Sequence, residues 1–413
     1  MKILMLGPWV PSARYPVEAE RLLRFARHLA GRHRLTLAFA TDVLDPSGTI
    51  SALRAEFEDL EFAIVPRHLQ RLWSAFRLAS GASVDLTYFD STALRTRLHD
   101  RLRAKPFDLI YAASAGMIQY ALEPPRSAPL IVDFGELDSE WWEARAQGSM
   151  RLWAGLYRSE AARVRGLEQA AARRAAISLV SSTKAAERLA ALAPGAPVAV
   201  IPNGVDPDRY SGDPHRPTEP VIVFTGCLEQ PHEVEAATEL CRVALPAVRS
   251  RVASARLLVP GRYLSRAARR LGRLPGVEVS ANPGDFRTLL RHAAVAVASA
   301  GDSNGARQAT LEAMAAGVPV VVNGNWPGDL GEGQPAGELY VDGGPQALAQ
   351  RLIELLTSET LRAEAGHRGR ALVRARHSWE VSTNRLAQVL DGALGSRPVP
   401  SEPEPALDGR TKP

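Results

Sequence analysis

Short apolar runs alternate with helical patterns through both halves of this 413-residue chain. Such alternation predicts parallel sheets, because neighbouring parallel strands need a crossover connection between them. Helices are expected in the gaps, among them 18–33, 151–174 and 308–316. The expected strands are 2–6, 35–39, 61–65, 109–111, 130–132 and 177–180 in the first half, and 221–224, 255–259, 277–279, 294–297 and 318–322 in the second.

The predicted organisation is two α/β domains that face each other across a cleft. Residues 203–220 are rich in Pro, Gly and Asp and are interpreted as an interdomain linker. Residues 1–202 and 221–377 are then predicted as two Rossmann-like domains. A helix at 378–395 is expected to cross back to the first domain, and the proline-rich 396–413 to be disordered. Ligands of open parallel sheets bind beyond the carboxyl ends of the strands, so chemistry is expected in the loops there.

Composition excludes several classes of protein. Hydrophobic residues make up 46% and charged residues 23%, as in globular proteins, and Cys227 and Cys241 match no redox or metal spacing. Of the 50 basic residues only four are lysine, and the arginines are spread along the chain, whereas a nucleic-acid surface gathers them in one stripe. No apolar run reaches the roughly 18–20 residues of a membrane helix. We therefore expect a cytoplasmic protein without nucleic-acid partners; arginine-rich amphipathic helices leave peripheral contact with the inner face of the membrane open.

The strongest local signal is a glycine loop that enters a helix at 305–317. The N-terminus of such a helix offers unpaired N–H groups and positive dipole charge to a phosphate. Glu312 lies two turns into the helix, and its carboxylate can accept both hydroxyls of a ribose if it faces the cleft. A solvent-facing glutamate on an ordinary helix explains these residues equally well, so the pattern leaves both interpretations open.

Together with Ile-Pro-Asn-Gly-Val-Asp at 201–206, this segment resembles the bacterial retaining glycosyltransferases of family 4, which have the GT-B fold. That family carries Leu-Glu-Ala-Met-Ala-x-Gly-x-Pro-Val-Val in its donor domain, which stands here at 311–321. The resemblance covers most of the chain and is closest to sugar transferases of exopolysaccharide and PEP-CTERM export loci. It implies transfer of a sugar from a nucleotide-diphosphate sugar to an acceptor hydroxyl, with retention of configuration and with neither metal nor other cofactor.

The resemblance also implies a donor site in the C-terminal domain and an acceptor site in the N-terminal domain. Glu312 matches the family's ribose-binding glutamate, and the loop at Gly226 approaches the diphosphate as a residue without a side chain can. The expected donor-binding residues are Gly226, Gly261, Arg262, Asn304, Gly305, Arg307, Leu311 and Glu312. The expected acceptor-binding residues are Gly7, Arg21, Ser114, Asp133 and Trp141, and the expected catalytic residues are Asp138, Glu136 and Arg307.

Three acidic residues follow a buried strand at the predicted cleft edge. A carboxylate of Asp133, Glu136 or Asp138 can orient an acceptor hydroxyl or stabilise positive charge at the anomeric carbon, although loop capping also accounts for Asp133 and Asp138. Trp141 can stack on an acceptor sugar or pack into the core. Many relatives have a histidine after a middle strand, where Ser114 would be a poor base unaided.

Basic residues that many relatives place around the diphosphate are missing here. The closest group has arginines where this chain has Gly301 and Asn304 and a lysine where it has Ala309, and the arginine–lysine pair of many relatives is absent from 227–233. Many family members instead have a sugar-binding glutamate at the position of Asn304, whose amide can still hydrogen-bond hydroxyls but brings no charge. The loss of the basic residues is costly unless other cations neutralise the leaving diphosphate. Arg307 and Arg262 are the candidates for that role.

Two alternatives to a transferase stay open. A GT-B pseudoenzyme would serve as a scaffold or partner subunit in a glycan-assembly complex, and an epimerase or hydrolase would keep the donor site but change the reaction. No metal site is predicted, because turn formation explains the pair of Asp206 and Asp208 in the linker. The expected partners are the nucleotide sugar and a sugar, lipid-linked or small-molecule acceptor, with the protein a monomer or a homodimer.

Overall fold

In the computed structural model the chain forms two parallel sheets flanked by helices. The structure describes residues 1–12, 17–41, 48–57, 59–65, 83–104, 106–122, 128–147, 151–210, 219–226, 228, 230–261, 265–281, 286–299, 304–323, 340–341 and 343–395. The strands are β1 (Lys2–Gly7), β2 (Arg34–Thr41), β3 (Asp59–Ile64), β4 (Leu109–Ala113), β5 (Leu130–Gly135), β6 (Ile177–Val180), β7 (Val198–Val200), β8 (Val221–Phe224), β9 (Arg256–Gly261), β10 (Val277–Ala281), β11 (Val295–Ser299), β12 (Val320–Asn323) and β13 (Tyr340–Val341).

Helices connect these strands and cover both faces of each sheet. They are α1 (Val17–Ala30), α2 (Thr49–Glu56), α3 (Val84–Phe89), α4 (Thr92–Ala104), α5 (Ala115–Leu122), α6 (Asp138–Gln147), α7 (Arg151–Arg174), α8 (Thr183–Leu192), α9 (Pro231–Glu239), α10 (Leu245–Arg249), α11 (Arg266–Leu271), α12 (Phe286–His292), α13 (Asn304–Ala315), α14 (Gly344–Thr357), α15 (Glu359–Arg376) and α16 (Trp379–Gly395). A 3-10 turn spans Pro207–Tyr210, and a π-helical turn, Leu240–Ala244, joins α9 to α10. Within the described ranges no helix is long and apolar enough to cross a membrane.

All strand pairs are parallel, and the strand order of each sheet reverses once. The first sheet has the order β3-β2-β1-β4-β5-β6-β7 and the second β10-β9-β8-β11-β12-β13. The order therefore reverses between β1 and β4 in one sheet and between β8 and β11 in the other. At such a switch point the flanking loops part on opposite faces of the sheet and leave a crevice.

Alternating side chains along each strand build one core layer on either face of its sheet. In β1, Ile3 and Met5 pack beneath α1, whereas Leu4 and Leu6 pack on the opposite face. The second sheet repeats this alternation, with Ile222 on one face of β8 and Val223 on the other. Strands buried on both faces explain the continuous apolar runs that predict a parallel sheet.

All eleven strands expected from the sequence are present, and the α/β fold class is confirmed. Two further strands, β7 and β13, were not anticipated, because they are only three and two residues long. Helix α13 begins at Asn304, four positions before the expected start. The expected disorder of 396–413 falls outside the described residues.

The segment that follows β7 passes close beneath the last helix. The Val205 N–H donates to the carbonyl of His377 at 2.8 Å, and the Trp379 N–H donates to the carbonyl of Val205 at 3.2 Å. A Cβ on Gly204 would lie 2.5 Å from the backbone nitrogen of Trp379, so only glycine permits this approach. Trp379 and Leu386 of α16 then pack into the core layer beneath α1.

Helix α7 holds two neighbouring helices through buried glutamates. Glu160 accepts hydrogen bonds from Ser83 Oγ at 2.5 Å and from the Val84 N–H at 2.7 Å, at the start of α3. Glu168 accepts from Ser139 Oγ at 2.5 Å and from the Ser139 N–H at 3.1 Å, in the first turn of α6. Burial raises the pKa of Glu168 to about 7. The start of α6 is thereby anchored where it leaves the edge of the sheet.

Candidate functional site

Several of the predicted site residues lie at the two switch points. Gly7 ends β1, and Ser114 follows β4, at the reversal in the first sheet. In the second sheet Gly226 follows β8, and α13 begins after the loop that leaves β11. Gly261 ends β9 beside β8. Arg262 lies outside the described residues, as does the side chain of Asn304, and Gly305 lies in the first turn of α13.

Helix α13 is anchored to the end of β8 by its buried face. The hydroxyls of Thr310 and Thr225 lie 2.9 Å apart, and Thr310 also donates to the Ala306 carbonyl at 2.8 Å. The Leu311 side chain is buried in the core layer of that face, and contact between Leu311 and a donor stays a prediction. Arg307, in the first turn, is also largely buried.

Glu312 lies on the side of α13 that faces the linker, where it is mostly buried. Gln308 Nε2 donates to Glu312 Oε1 at 3.3 Å and to the Gly204 carbonyl at 3.3 Å, and the Tyr210 hydroxyl also bonds the carboxyl. Burial raises the pKa of Glu312 to about 7; the two hydrogen bonds oppose that rise and the nearby charge of Glu20 adds to it. A solvent-facing glutamate is therefore excluded, and the carboxyl is held in a defined position.

Gly226 is required for a different reason from the one expected. A Cβ at this position would collide with the ring of Phe224 and with the carboxylate of Glu233, a buried residue of α9. The groups that approach Gly226 closely are therefore the side chains of Phe224 and Glu233, and this contact requires a residue without a side chain. Contact between this loop and a diphosphate stays a prediction.

In the first domain, Arg21 and Asp133 form a buried ion pair. Arg21 Nε and Nη2 donate to Asp133 at 2.7 and 3.1 Å, Arg21 Nη1 donates to the Ile201 carbonyl at 2.8 Å and to Asn203 Oδ1 at 3.0 Å, and the Tyr111 hydroxyl donates to Asp133. These groups satisfy one another inside the domain. The structure therefore gives Arg21 and Asp133 a framework role in place of the predicted acceptor contact.

Ser114 is held in an unusual backbone conformation at the end of β4. Its φ of 65° lies in the left-handed region that favours glycine. Its N–H donates to the Asp133 carbonyl at 3.0 Å, and its buried Oγ has no hydrogen-bond partner among the described residues. Local strain of this kind persists only where surrounding contacts enforce it, as they do at binding sites.

Asp138 and Glu136 stand beside Ser114 at the same edge. Asp138 Oδ2 accepts from the Ala115 N–H at 3.3 Å, which places its carboxylate at the N-terminus of α5. Ser181 Oγ donates to Glu136 Oε1 at 2.5 Å, from the end of β6. Gly7 allows α1 to pack against the end of β1, because a Cβ at this position would collide with the Leu22 side chain. The structure thus brings Gly7, Ser114, Glu136 and Asp138 to one crevice.

A lysine of the first domain lies within electrostatic range of an arginine of the second. Lys184, in the first turn of α8, has its pKa lowered by burial, then by Arg188, and also by the charge of Arg307 on α13. Glu136 and Glu140 act in the opposite direction, and Arg188 forms an ion pair with Glu140. Sequence reasoning missed Lys184, although it is one of only four lysines. The signal in the sequence that could have identified Lys184 is its position four residues after the predicted strand 177–180.

Two other features fall away from the crevice. Trp141 is 42% exposed and packs against Trp142 on α6. A cavity of about 910 Å³ lined in part by Lys2 and Arg101 lies at the amino ends of β1 and β2, the opposite edge of the sheet, and Arg101 there is paired with Asp59.

No cluster of three metal-ligating side chains occurs in the part of the chain that the structure describes. Asp206 instead caps the 3-10 turn, accepting from the N–H groups of Asp208 and Arg209.

Known structures share this architecture over nearly the whole chain. A sucrose-phosphate synthase from Thermosynechococcus elongatus has a TM-score of 0.62 at 15% identity and covers 96% of this chain and 100% of its own. Anabaena HepE in complex with UDP and glucose gives 0.59 at 15%, with 95% and 100% covered. TarM of S. aureus, in a complex that contains UDP, gives 0.64 at 12%, with 94% and 99% covered. The fold is therefore GT-B.

Sequence comparison adds a family signal to the second domain. A family model described as Glycosyl transferases group 1 matches residues 219–358. A GDP-mannose-dependent monoacylated alpha-(1-6)-phosphatidylinositol monomannoside mannosyltransferase from Corynebacterium glutamicum is 42% identical over 83 residues, which is 19% of this chain and 21% of that relative. The match thus spans about a fifth of the relative's length. These findings support glycosyl transfer by a GT-B protein.

The buried ion pair predicts a large difference between two arginine pairs of α1. Asp133→Ala leaves the Arg21 charge buried and uncompensated, which costs about 3–5 kcal/mol of unfolding free energy. Glu56→Ala, which removes the partner of exposed Arg27 on the same helix, costs about 0–1 kcal/mol. Urea unfolding of both variants measures this. Equal losses would contradict a framework role for the buried pair.

The raised pKa of Glu312 predicts a pH-dependent stability. The folded carboxyl keeps its proton up to a pH of about 7 and the unfolded one only to 4.5, so folding binds a proton between these values and stability falls as pH rises through this window. Glu312→Gln removes this loss, so the variant gains roughly 1–3 kcal/mol over the wild type at about pH 8 and little at about pH 5.

Glu354→Gln is the matched control for this experiment. Arg351 and Gln350 lower the pKa of that exposed carboxyl, so its substitution changes the pH profile in the opposite direction and weakly. Denaturant unfolding across the pH range measures both variants. A Glu312→Gln protein that is less stable than the wild type at alkaline pH would show that the carboxylate is ionised and favourably held.

Proposed function

We propose that this chain is a glycosyltransferase that moves a sugar from a nucleotide-diphosphate sugar to an acceptor hydroxyl with retention of configuration and without a metal. The observation that carries the proposal is the position of Glu312 on α13, within the segment 219–358 that the family model matches. Its carboxylate would accept the two hydroxyls of the donor ribose. The first turn of the same helix would lie against the diphosphate at the switch point of the second sheet.

The proposed reaction makes modest demands on protein side chains. A donor phosphate oxygen deprotonates the incoming hydroxyl on the same face of the sugar, so no protein base is needed where Ser114 replaces a histidine. The protein positions the two substrates and stabilises the charge of the leaving diphosphate. Asp138 and Glu136, at the crevice of the first sheet, would orient the acceptor hydroxyl.

We assign the missing positive charge to residues from both domains. Arg307 lies in the first turn of α13, and Lys184 lies in the first turn of α8 in the other domain. The charge of Arg307 contributes to lowering the pKa of Lys184. A diphosphate bound within reach of both side chains would be attracted by each of them. The donor would then be bound by cations on both walls, which replace the basic residues absent at Ala309 and 227–233.

What the similar proteins bind supports a choice of donor and acceptor in this proposal. The Corynebacterium relative uses GDP-mannose and modifies a glycolipid, whereas HepE and TarM are described with UDP. We therefore propose UDP or GDP as the donor nucleotide, and a saccharide or lipid-linked saccharide of a polysaccharide or glycolipid pathway in bacteria as the acceptor. A cytoplasmic location fits the supply of nucleotide sugars.

Nucleotide binding is the first test of this proposal. We expect one of UDP, GDP, dTDP, ADP and CDP to stabilise the wild type by about 2.7 kcal/mol at a hundred times its dissociation constant, or about 5–10 °C in a thermal-shift assay. Glu312→Ala should lose this shift, and Glu235→Ala, an exposed glutamate of the same domain, should keep it.

The outcomes of this panel separate the alternatives. No shift with any nucleotide would contradict the proposal and favour a pseudoenzyme scaffold. A shift with release of free sugar or an epimer, in the absence of acceptor, would favour a hydrolase or epimerase; a putative UDP-N-acetylglucosamine 2-epimerase from Listeria monocytogenes shares the fold at a TM-score of 0.52 and 15% identity.

Lys184 is tested by comparing a nucleoside diphosphate with its monophosphate. A charge-assisted contact is worth about 1.5–3 kcal/mol, so Lys184→Ala should weaken diphosphate binding roughly 10- to 100-fold and leave the monophosphate nearly unchanged. Lys184→Arg should restore most of the loss, and Lys2→Ala at the far edge of the sheet should have no effect. Isothermal titration gives the constants. Equal losses for both nucleotides would show that Lys184 acts on the fold instead.

A further inference from the structure

An arginine of the first domain is bonded to the segment that holds Glu312. Arg24 lies on α1, and its Nη2 donates to Asp206 Oδ2 in the linker at 2.9 Å. The same nitrogen donates to Glu20 Oε1 at 3.2 Å, whereas Arg24 Nε is buried without a hydrogen-bond partner among the described residues. Two carboxylates, one on α1 and one in the linker, therefore share a single nitrogen of this side chain.

This contact differs from the neighbouring ion pair of Arg21. Every side-chain nitrogen of Arg21 has an acceptor, and that side chain is only 5% exposed. The side chains of Arg24 and Asp206 are 23% and 31% exposed. A partly exposed pair with one hydrogen bond adds little to folding stability. The Arg24–Asp206 pair is therefore suited to fixing the position of the linker rather than to stabilising the domain.

Asp206 extends this contact to the turn that contains Tyr210. One carboxylate oxygen of Asp206 binds Arg24, and the other accepts from two N–H groups of the 3-10 turn at 3.2 and 3.3 Å. Tyr210 ends this turn, and its hydroxyl bonds the Glu312 carboxyl. Burial and the charge of Glu312 raise the pKa of the Tyr210 hydroxyl, so the hydroxyl keeps its proton and acts as the donor.

Most of the groups that act on the Glu312 carboxyl lie outside the helix that carries it. Apart from burial, the groups that shift its pKa are Gln308, Tyr210, Glu20 and Arg209. Of these only Gln308 belongs to α13, whereas the others lie on α1 and in the 3-10 turn. Arg24 bonds α1 at Glu20 and bonds the turn through Asp206. It therefore links the two elements that supply these outside groups.

We propose that Arg24 is a positioning residue for the donor site, which holds the Tyr210 hydroxyl on the Glu312 carboxylate from the opposite domain. This rests on the proposed function, in which that carboxylate binds the ribose of the nucleotide. A movement of α1 away from the turn would break the bond between Arg24 and Asp206. The Tyr210 bond is then secured only in the present arrangement of the two domains, and the nucleotide is recognised by that arrangement rather than by the second domain alone.

Isothermal titration with UDP and with GDP at about pH 7 and about pH 8.5 tests this role. A nucleotide that needs the ionised carboxylate binds more weakly wherever Glu312 is protonated. Tyr210→Phe removes a hydrogen bond to the carboxylate and raises its pKa further. We expect an affinity loss of roughly three- to tenfold at about pH 7 that falls below about twofold at about pH 8.5.

Arg24→Ala should give a loss with the same pH dependence, because it acts through Tyr210. We expect a loss of roughly two- to fivefold at about pH 7, and little further loss when Arg24→Ala is combined with Tyr210→Phe. Arg24→Lys keeps the charge beside Asp206 and should restore most of the affinity. Arg27→Ala is the matched control, since it removes an arginine of the same helix that pairs with Glu56, and it should bind like the wild type.

Two results would overturn the role of Arg24. One is an affinity loss for Arg24→Ala that is equal at both pH values, which a general loss of structure would produce. The other is a loss that adds in full to that of Tyr210→Phe, which would show that the two residues act independently.

Urea unfolding without nucleotide separates this proposal from the proposed function. A higher pKa of folded Glu312 enlarges the stability lost at alkaline pH. The gain from Glu312→Gln at about pH 8 should therefore be roughly three- to tenfold greater, as an unfolding equilibrium constant, with Tyr210→Phe than in the wild type, and should also be greater with Arg24→Ala. An unchanged gain would contradict the role of Arg24 even if a nucleotide binds. A greater gain without nucleotide binding would confirm that Arg24 positions the carboxyl and would contradict the proposed function instead.

Discussion

A single buried charge determines how the first domain is closed and where the chain leaves it. Burial by itself lowers the pKa of the Arg21 guanidinium, but the opposed charge of Asp133 and the bonds between the two outweigh it, so the net shift is upward. The same guanidinium reaches the Ile201 carbonyl and Asn203. The interior of the α1–β5 layer therefore specifies the path of the linker, because only that path supplies the remaining hydrogen-bond acceptors.

The linker transmits this constraint to the second domain. After Asn203 the chain passes beneath Trp379 at Gly204, and the Gly204 carbonyl accepts from Gln308 of α13. Tyr210, five residues after Val205, hydrogen-bonds Glu312, which lies one turn after Gln308 on the same helix. The Glu312 carboxyl, which would bind the ribose in the proposed function, is thus positioned by linker residues outside its own domain. A change of linker conformation would alter the surroundings of Glu312, and in the proposed function this is a route by which closure of the cleft and binding of a donor can be coupled.

Local patterns in the sequence were sufficient for eleven of the strands, for several of the helices and for the loops in which site residues lie, because burial on both faces of a parallel sheet leaves apolar runs that are recognised locally. Partners distant in sequence were not predictable in this way. Arg21 and Asp133 are 112 positions apart, and nothing in either neighbourhood indicates the other. Glu160 and Glu168 resemble solvated positions of an amphipathic helix, yet both are buried as caps of other helices. Lys184 acquires its neighbour Arg307 only when the two sheets face each other.

The cost of Glu312 bears on the choice between an enzyme and a scaffold. A carboxyl with a pKa of about 7 in the free protein is a strained group at neutral pH, since ionising it in place opposes folding. Gln308 and Tyr210 relieve only part of that strain, and an amide or apolar residue would fold better. A bound ribose would donate two hydrogen bonds from its hydroxyls to the Glu312 carboxylate, which would favour the ionised form and lower the pKa. The protein would then accept a loss of folding stability in order to keep this carboxyl positioned for the ligand. A scaffold that binds no nucleotide gains nothing from this arrangement, which is why the position of Glu312 favours catalysis over a purely structural role.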